Sequence, residues 1–248
     1  MNFEEVSASE LKLNKHDFRT IDFVLYRALR LLLLPFGRRL SAKLAAHLHW
    51  IFRHLAIATS SNLAGVDFLN SRSAIVQFRL LEKHVRNSDS VVDVACGTAR
   101  YFPILQRLGV REFLGIDSSV THIENNEFVY PEAKFLLGNV LDLENLPACD
   151  VIIASHFLEH LDSPDLFLIQ AAKLCKKIIV EVPDFYSDPV NSVSYILGAP
   201  WWTDRDHRRE YSQELIKRLF SSSGYTIEEI CCSGGTIGVV ASPKSNRN

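Results

Sequence analysis

The stretch Ser90-Val-Val-Asp-Val-Ala-Cys-Gly-Thr-Ala-Arg100 constrains this chain more than any other. Val91, Val92 and Val94 form a short β-branched run, the pattern of a strand buried on both faces of a parallel sheet. Ala95, Gly97 and Ala99 then leave a turn almost bare of side chains, where a ligand can reach backbone N–H groups at the start of a helix. A second apolar run, Phe113-Leu-Gly-Ile116, closes on Asp117, 24 residues after Asp93. A carboxylate at the tip of a second strand is placed to accept hydrogen bonds from both hydroxyls of a ribose. A dinucleotide site would carry Gly-x-Gly-x-x-Gly at the turn, because a pyrophosphate must come very close to the backbone. This chain lacks that pattern.

The pattern repeats downstream. Strand-like runs at 90 to 94, 112 to 116, 133 to 137, 149 to 155 and 177 to 182 alternate with helix-length segments, including one from Pro164 to Leu174. Such alternation specifies an α/β fold with a doubly wound, Rossmann-like sheet. Thr226 to Cys232 and Thr236 to Ala241 flank Ser233-Gly-Gly235, a hairpin signal, so a seven-stranded, mostly parallel sheet should close with an antiparallel last strand. Ligands in such sheets sit beyond the carboxyl ends of the strands, where strand order reverses. Asp93, Asp117, Asn139, Ser155 and Pro183 all fall at or near those ends.

The turn Asp93-x-Ala-Cys-Gly-Thr-Ala99 resembles the Asp-x-Gly-x-Gly-x-Gly first motif of class I S-adenosylmethionine-dependent methyltransferases, with alanine at the first and third glycines. Phe135-Leu-Leu-Gly-Asn139 resembles the family's third strand, where Asp or Asn lies beside the adenine amino group. Cys149-Asp-Val-Ile-Ile-Ala-Ser155-His-Phe-Leu-Glu-His160 is similar to the fourth strand and loop of the type 11 and type 23 small-molecule subgroups. His207-Arg-Arg-Glu-Tyr211 and the Ser223-Gly-Tyr225 turn resemble the subgroup's substrate-side segment. The resemblance covers residues 90 to 242. It implies that Asp93, Ala95, Cys96, Gly97, Thr98, Asp117, Ser118, Asn139, Val140 and Ser155 bind S-adenosylmethionine, and that the acceptor is a small molecule. Surface-glycan, lipid-linked and quinone-type acceptors stay open. The alternative is a methyltransferase-like fold kept as a non-catalytic binding or scaffold subunit, which the two alanines favour.

Methyl transfer is an in-line displacement, so the site must align an acceptor lone pair and exclude water. A hydroxyl acceptor also needs a base. His156 and His160, just beyond the fourth strand, are the first candidates; His207 and Tyr211 follow on the substrate side. Glu159 is expected to bond nearby backbone. His156-x-x-Glu159-His160 also spells a zinc-peptidase pattern, but such a motif sits within a long helix, and Asp162-Ser-Pro164 ends this one early. A divalent ion assisting transfer is the lesser option, and no metal ligand is assigned. The aromatic segment 183–211, with Phe185, Tyr186, Tyr195, Trp201 and Trp202 beside Asp204, His207 and Arg208, reads as a substrate lid.

Charge is unevenly spread. The formal total is −2, so nucleic acid is not an expected partner. Between Phe18 and Leu55, however, Arg19, Arg27, Arg30, Arg38, Arg39, Lys43 and Arg53 face one acid, Asp22. Leu40, Leu44, Leu48, Ile51 and Leu55 form one helical stripe there, after an apolar helix over Phe23 to Leu34 broken by Pro35-Phe-Gly37. Neither helix is long enough to span a bilayer. Residues 1–70 therefore read as a helical extension that caps the substrate opening, pairs two subunits of a homodimer, or rests on an anionic membrane. A helix from Ser71 to Val85, apolar at Ile75, Phe78, Leu81 and Val85, opens the catalytic domain of 71–248. Cysteines 96, 149, 175, 231 and 232 lack metal or redox spacing, and the acidic start Met1-Asn-Phe-Glu-Glu5 is unlike a secretory signal. These features fit a cytoplasmic protein, with the basic helices able to hold it at the inner face of the membrane.

Overall fold

The computed structural model describes residues 27–32, 34–63, 68–141, 146–199 and 206–244. Seven strands, β1 (Ser90–Val94), β2 (Glu112–Asp117), β3 (Lys134–Leu137), β4 (Cys149–Ser155), β5 (Cys175–Pro183), β6 (Tyr225–Ser233) and β7 (Thr236–Pro243), form one sheet in the order β3-β2-β1-β4-β5-β7-β6. The first five run parallel, and β7 lies antiparallel between β5 and β6. The last strand is thus the inserted one, and β6 forms the edge. Strand order reverses between β1 and β4, the crevice where an open α/β sheet binds its ligand.

The helices are α1 (Gly37–Leu63), α2 (Phe68–His84), α3 (Phe102–Leu108), α4 (Val120–Val129), α5 (Pro164–Ala171), α6 (Pro189–Leu197) and α7 (Gln213–Ser222). Residues 27–32 are also helical and Leu34 opens a 3₁₀ turn; residues 23–26 and 33 of the expected helix, with Arg19 and Asp22, lie outside the described residues. Their ends are chemically marked. The Ser119, Asp188 and Ser212 side chains each accept a backbone N–H of the first turn of α4, α6 and α7, a bond worth about 1 kcal/mol. Helix α5 stops at Ala171, short of the expected Leu174, because residues 172–174 turn the chain back into β5.

Alternate residues of the central strands feed two apolar layers. Val92, Val94, Ile152, Ala154, Ile178, Val180 and Val239 pack with Phe167, Leu168, Ile216 and Phe220 from α5 and α7. Val91, Phe113, Val151, Ile153, Ile179 and Val240 pack against Val76, Leu80 and Leu81 of α2 and Phe102 and Leu105 of α3. Each of these side chains larger than alanine contributes roughly 1.5–3 kcal/mol of burial. Helix α2 lies very close to β7, since a Cβ on Gly238 would stand 2.6 Å from Val76 and 2.7 Å from Leu80. This second layer carries Asp93, Asp117, Ser155 and Glu181 at its upper rim, because they share strand parity with Val91, Phe113, Ile153 and Ile179.

Helix α1 departs from the simple expectation for an apolar stripe. Leu40, Leu44, Leu48, Ile51 and Leu55 remain 36–54% exposed. The helix instead buries Ala46 and holds Asp188 through His49 Nε2 at 3.1 Å and Arg53 Nη1 at 3.2 Å. It packs on α6, within the expected lid. That lid is partly built of regular structure: a 3₁₀ turn over Phe185–Ser187, then α6. Phe185 is half-buried, Tyr186 and Tyr195 are exposed, and Trp201, Trp202 and Asp204 lie outside the described residues.

Candidate active site

The turn after β1 owes its shape to three left-handed residues, Ala95 (φ 53°), Gly97 (φ 53°) and Ala99 (φ 51°). Holding an L-residue there costs roughly 1–2 kcal/mol, so the two alanines keep the glycine-type path at the expense of strain. Several bonds hold it. Cys96 N–H donates to Ile116 O at 2.9 Å, and Ala99 N–H to Cys96 O at 2.8 Å. Buried Asn126 of α4 donates from Nδ2 to Gly97 O at 2.7 Å. Asp117 Oδ2 accepts from Gly97 N–H and Oδ1 from Ser119 N–H, both at 2.8 Å. Cofactor loop and acidic strand tip are therefore one hydrogen-bonded unit.

The turn fits S-adenosylmethionine. Each Asp117 oxygen keeps a second lone pair, enough for the two hydroxyls of a ribose. Asp93 is 2% exposed, and its Oδ2 has no hydrogen-bond partner. Burial pushes its carboxyl up to about 7, against the pull of the Arg100 guanidinium and with a further push from Asp117. A buried carboxyl with an unused oxygen is suited to a ligand's ammonium group, which would favour its ionised form and offset the desolvation. Cys96 and Val140 are buried, Thr98 and Ser118 exposed. Asn139, also exposed, uses Oδ1 to accept from Leu141 N–H at 3.1 Å, which folds the loop after β3.

A second cluster includes the expected Ser155, but its partners Tyr101 and Glu181 have no counterpart in the sequence expectations. Tyr101 Oη lies 2.9 Å from Ser155 Oγ and 3.2 Å from Glu181 Oε2, while Ser155 Oγ is 3.1 Å from that same oxygen. Glu181 is fully buried, and its Oε1 has no partner. Burial raises the Glu181 carboxyl, opposed by His156 and Arg100. Burial likewise raises the Tyr101 phenol, beside which the Arg100 guanidinium stacks at 5.0 Å. A signal for it exists in Ile178-Ile-Val-Glu181-Val, a lone acid inside an apolar strand.

The third cluster lies beyond β4. His156 takes φ 50°, and its N–H donates to Glu181 O at 2.8 Å. The kink leaves its ring 32% exposed, with Nδ1 3.3 Å from Glu159 Oε1. Glu159 corrects an expectation: its carboxylate bonds no backbone, and its own carbonyl accepts from Arg208 N–H at 2.8 Å and Arg209 N–H at 3.3 Å. Those bonds dock the 206–211 segment onto the loop. His207 is consequently not a separate lid residue; its ring meets His160 edge-on, 4.8 Å between centroids, with Nδ1 2.9 Å from Glu210 Oε1. Tyr211 is buried, donates its hydroxyl to Leu158 O at 3.2 Å, and has its phenol raised by burial. It serves as an anchor. The structure thus gathers His156, His160 and His207 around Glu159, while Tyr211 fastens the same loop through Leu158 O.

A family model described as a methyltransferase domain matches residues 68–230. No curated protein matches the chain. Among solved structures, an S-adenosylmethionine-dependent methyltransferase from Clostridium acetobutylicum is 12% identical over 80% of this chain and 100% of its own, with a TM-score of 0.56. The Synechocystis magnesium protoporphyrin IX methyltransferase with bound S-adenosylhomocysteine is 13% identical over 71% and 84%, TM-score 0.55. A chain from the complex of a Haloferax volcanii methyltransferase with its Trm112 activator is 15% identical over 73% and 93%, TM-score 0.58. At these identities the structures establish shared fold; the family match covers most of the chain, including β1 to β5 and the first part of β6. The chain belongs to the methyltransferase-domain family, and is an S-adenosylmethionine-dependent methyltransferase.

Proposed function

We propose that the enzyme methylates a hydroxyl oxygen of a small-molecule acceptor, with His156 taking up the hydroxyl proton. The observation that supports this most is His156 itself. A residue other than glycine rarely accepts φ near 50°, and such strain collects where a side chain must be aimed for function. Glu159 accepts from Nδ1, which fixes the ring and leaves Nε2 as the basic nitrogen. S-adenosylmethionine, when bound, supplies the electrophilic methyl group. Asp117 and Asp93 hold and orient it, and Tyr101, Ser155 and Glu181 brace the strand ends behind.

The test is methyl transfer from radiolabelled S-adenosylmethionine to a panel of hydroxyl-bearing, amine-bearing and carboxylate-bearing acceptors. For a hydroxyl acceptor, His156→Ala should lower kcat by about 10²–10⁴ while leaving cofactor affinity unchanged. Activity confined to amines, or a His156→Ala enzyme at wild-type turnover, would send the proposal back to another acceptor atom.

A second reading, that the enzyme works at an anionic membrane surface, is supported by the exposed flank of α1. Phe36, Leu40, Leu44, Leu48, Ile51, Phe52 and Leu55 are exposed, beside exposed Val193 and Ile196 of α6. Arg27, Arg30, Arg38 and Arg39 lie exposed toward the amino end. No described helix is long and apolar enough to cross a membrane. An apolar flank with basic residues suits a helix lying in the headgroup plane. Flotation with vesicles containing phosphatidylserine, lost at high salt and in a Leu48→Glu/Ile51→Glu double variant, is expected. Recovery that is independent of vesicle charge would return the flank to a subunit interface.

A further inference from the structure

We propose that Glu159, His160 and His207 form a binding site for a divalent transition-metal ion. One donor atom from each lies within 4.8 Å of the other two. Three donors at 2.0–2.2 Å from one ion stand about 3.4 Å apart in tetrahedral geometry, so the cluster needs to close by about an ångström.

Two further observations distinguish this cluster from a chance meeting of polar groups. The Glu159 side chain is completely buried, yet its Oε2 has no hydrogen-bond partner. Burying a carboxylate oxygen with nothing to bond costs several kcal/mol, and a cation is what offsets it. His207, moreover, is held as a metal-binding histidine would be. His207 Nδ1 is 2.9 Å from Glu210 Oε1, with both side chains nearly buried, and His160 Nδ1 is 3.3 Å from Asp206 Oδ2. A carboxylate only accepts, so His207 Nδ1 carries the hydrogen and its Nε2 the lone pair. Metal-bound histidines are held in this way, by a carboxylate on the nitrogen that does not touch the ion. Local sequence could not bring His160 and His207 together. The bonds from Arg208 and Arg209 N–H to Glu159 O do so.

Two imidazoles and one carboxylate leave coordination positions open, and this donor set favours zinc, manganese, iron or cobalt over magnesium. For a hydroxyl acceptor, an open position would take the oxygen and ease loss of its proton. That role rests on the acceptor proposed above; ion binding does not.

Calorimetric titration of chelator-treated, full-length protein with Zn²⁺ and with Mg²⁺ tests the site. One Zn²⁺ per chain is expected, with Mg²⁺ binding weaker. His160→Ala and His207→Ala should each weaken Zn²⁺ by at least about tenfold, and Glu210→Gln, which would not touch the ion, by about 10- to 100-fold. Circular dichroism and S-adenosylhomocysteine binding on the same preparations report the fold and the cofactor site separately. Because His207 is nearly buried, the half-exposed His160 decides the matter if His207→Ala fails to fold. A folded, cofactor-binding protein that takes up no Zn²⁺, or a His160→Ala variant with unchanged Zn²⁺ affinity, would overturn the proposal.

Discussion

Replacing Asp93 with asparagine separates stability from cofactor binding. The carboxyl titrates near 3.8 when unfolded and is raised to about 7 in the folded protein, chiefly by burial. Between these values the folded state binds more protons than the unfolded one, so stability falls as pH rises through the window and levels off above it. Over each pH unit in which the folded carboxyl holds its proton and the unfolded one does not, the loss is about 1.4 kcal/mol. From pH 5 to pH 8 the wild-type chain should therefore lose about 2 to 3 kcal/mol through this group, beyond whatever other groups contribute. Asp93→Asn removes the titration. Urea unfolding of cofactor-free protein at pH 5 and pH 8 gives the double difference, in which any constant cost of the amide cancels. The variant should gain on the wild type by about 2 to 3 kcal/mol between the two pH values, while its affinity for S-adenosylmethionine falls. Parallel pH profiles for the two proteins would refute the argument, showing that Asp93 is ionised and well solvated before cofactor arrives.

Asp117→Ala should cost more than one ribose contact, since it also releases Gly97 N–H and Ser119 N–H; calorimetry should show cofactor affinity reduced at least about 100-fold, from two charge-assisted bonds at about 1.5–3 kcal/mol each. Ala95→Gly should raise stability by up to about 1 kcal/mol, the left-handed strain relieved less the added freedom of the unfolded chain. Ala99→Gly should gain nothing comparable in the same thermal melts, because Ala99 is fully buried and its methyl contributes about 0.8 kcal/mol of packing.

The sheet was legible because each strand announces itself locally. The Val91–Val94 run, the acids at the tips of β1 and β2 and the Ser233-Gly-Gly235 turn need no partner to be recognised. What stayed hidden depends on residues far apart in sequence. Tyr101 meets Glu181 across 80 positions, and that contact exists only because β1, β4 and β5 are neighbours. His207 joins His160 only through backbone bonds that no side-chain pattern records. For α1 the periodicity correctly gave a helix with an apolar stripe, but periodicity does not say which side docks. Asp188 decides that, by holding His49 and Arg53 on the opposite flank.

Asp188 has a mechanical consequence. The same carboxylate that starts α6 at Val190 N–H also grips α1, and its acidity is strengthened by those partners although burial opposes them. Helix α1 and helix α6 therefore share one fastening point and move as a pair. Its ionic part joins half-exposed groups, worth at most about 1 kcal/mol, so thermal energy alone releases it often. The contact behaves as a weak latch, and whatever loads α1 from outside, a lipid surface or a second subunit, sets how long α6 stays held.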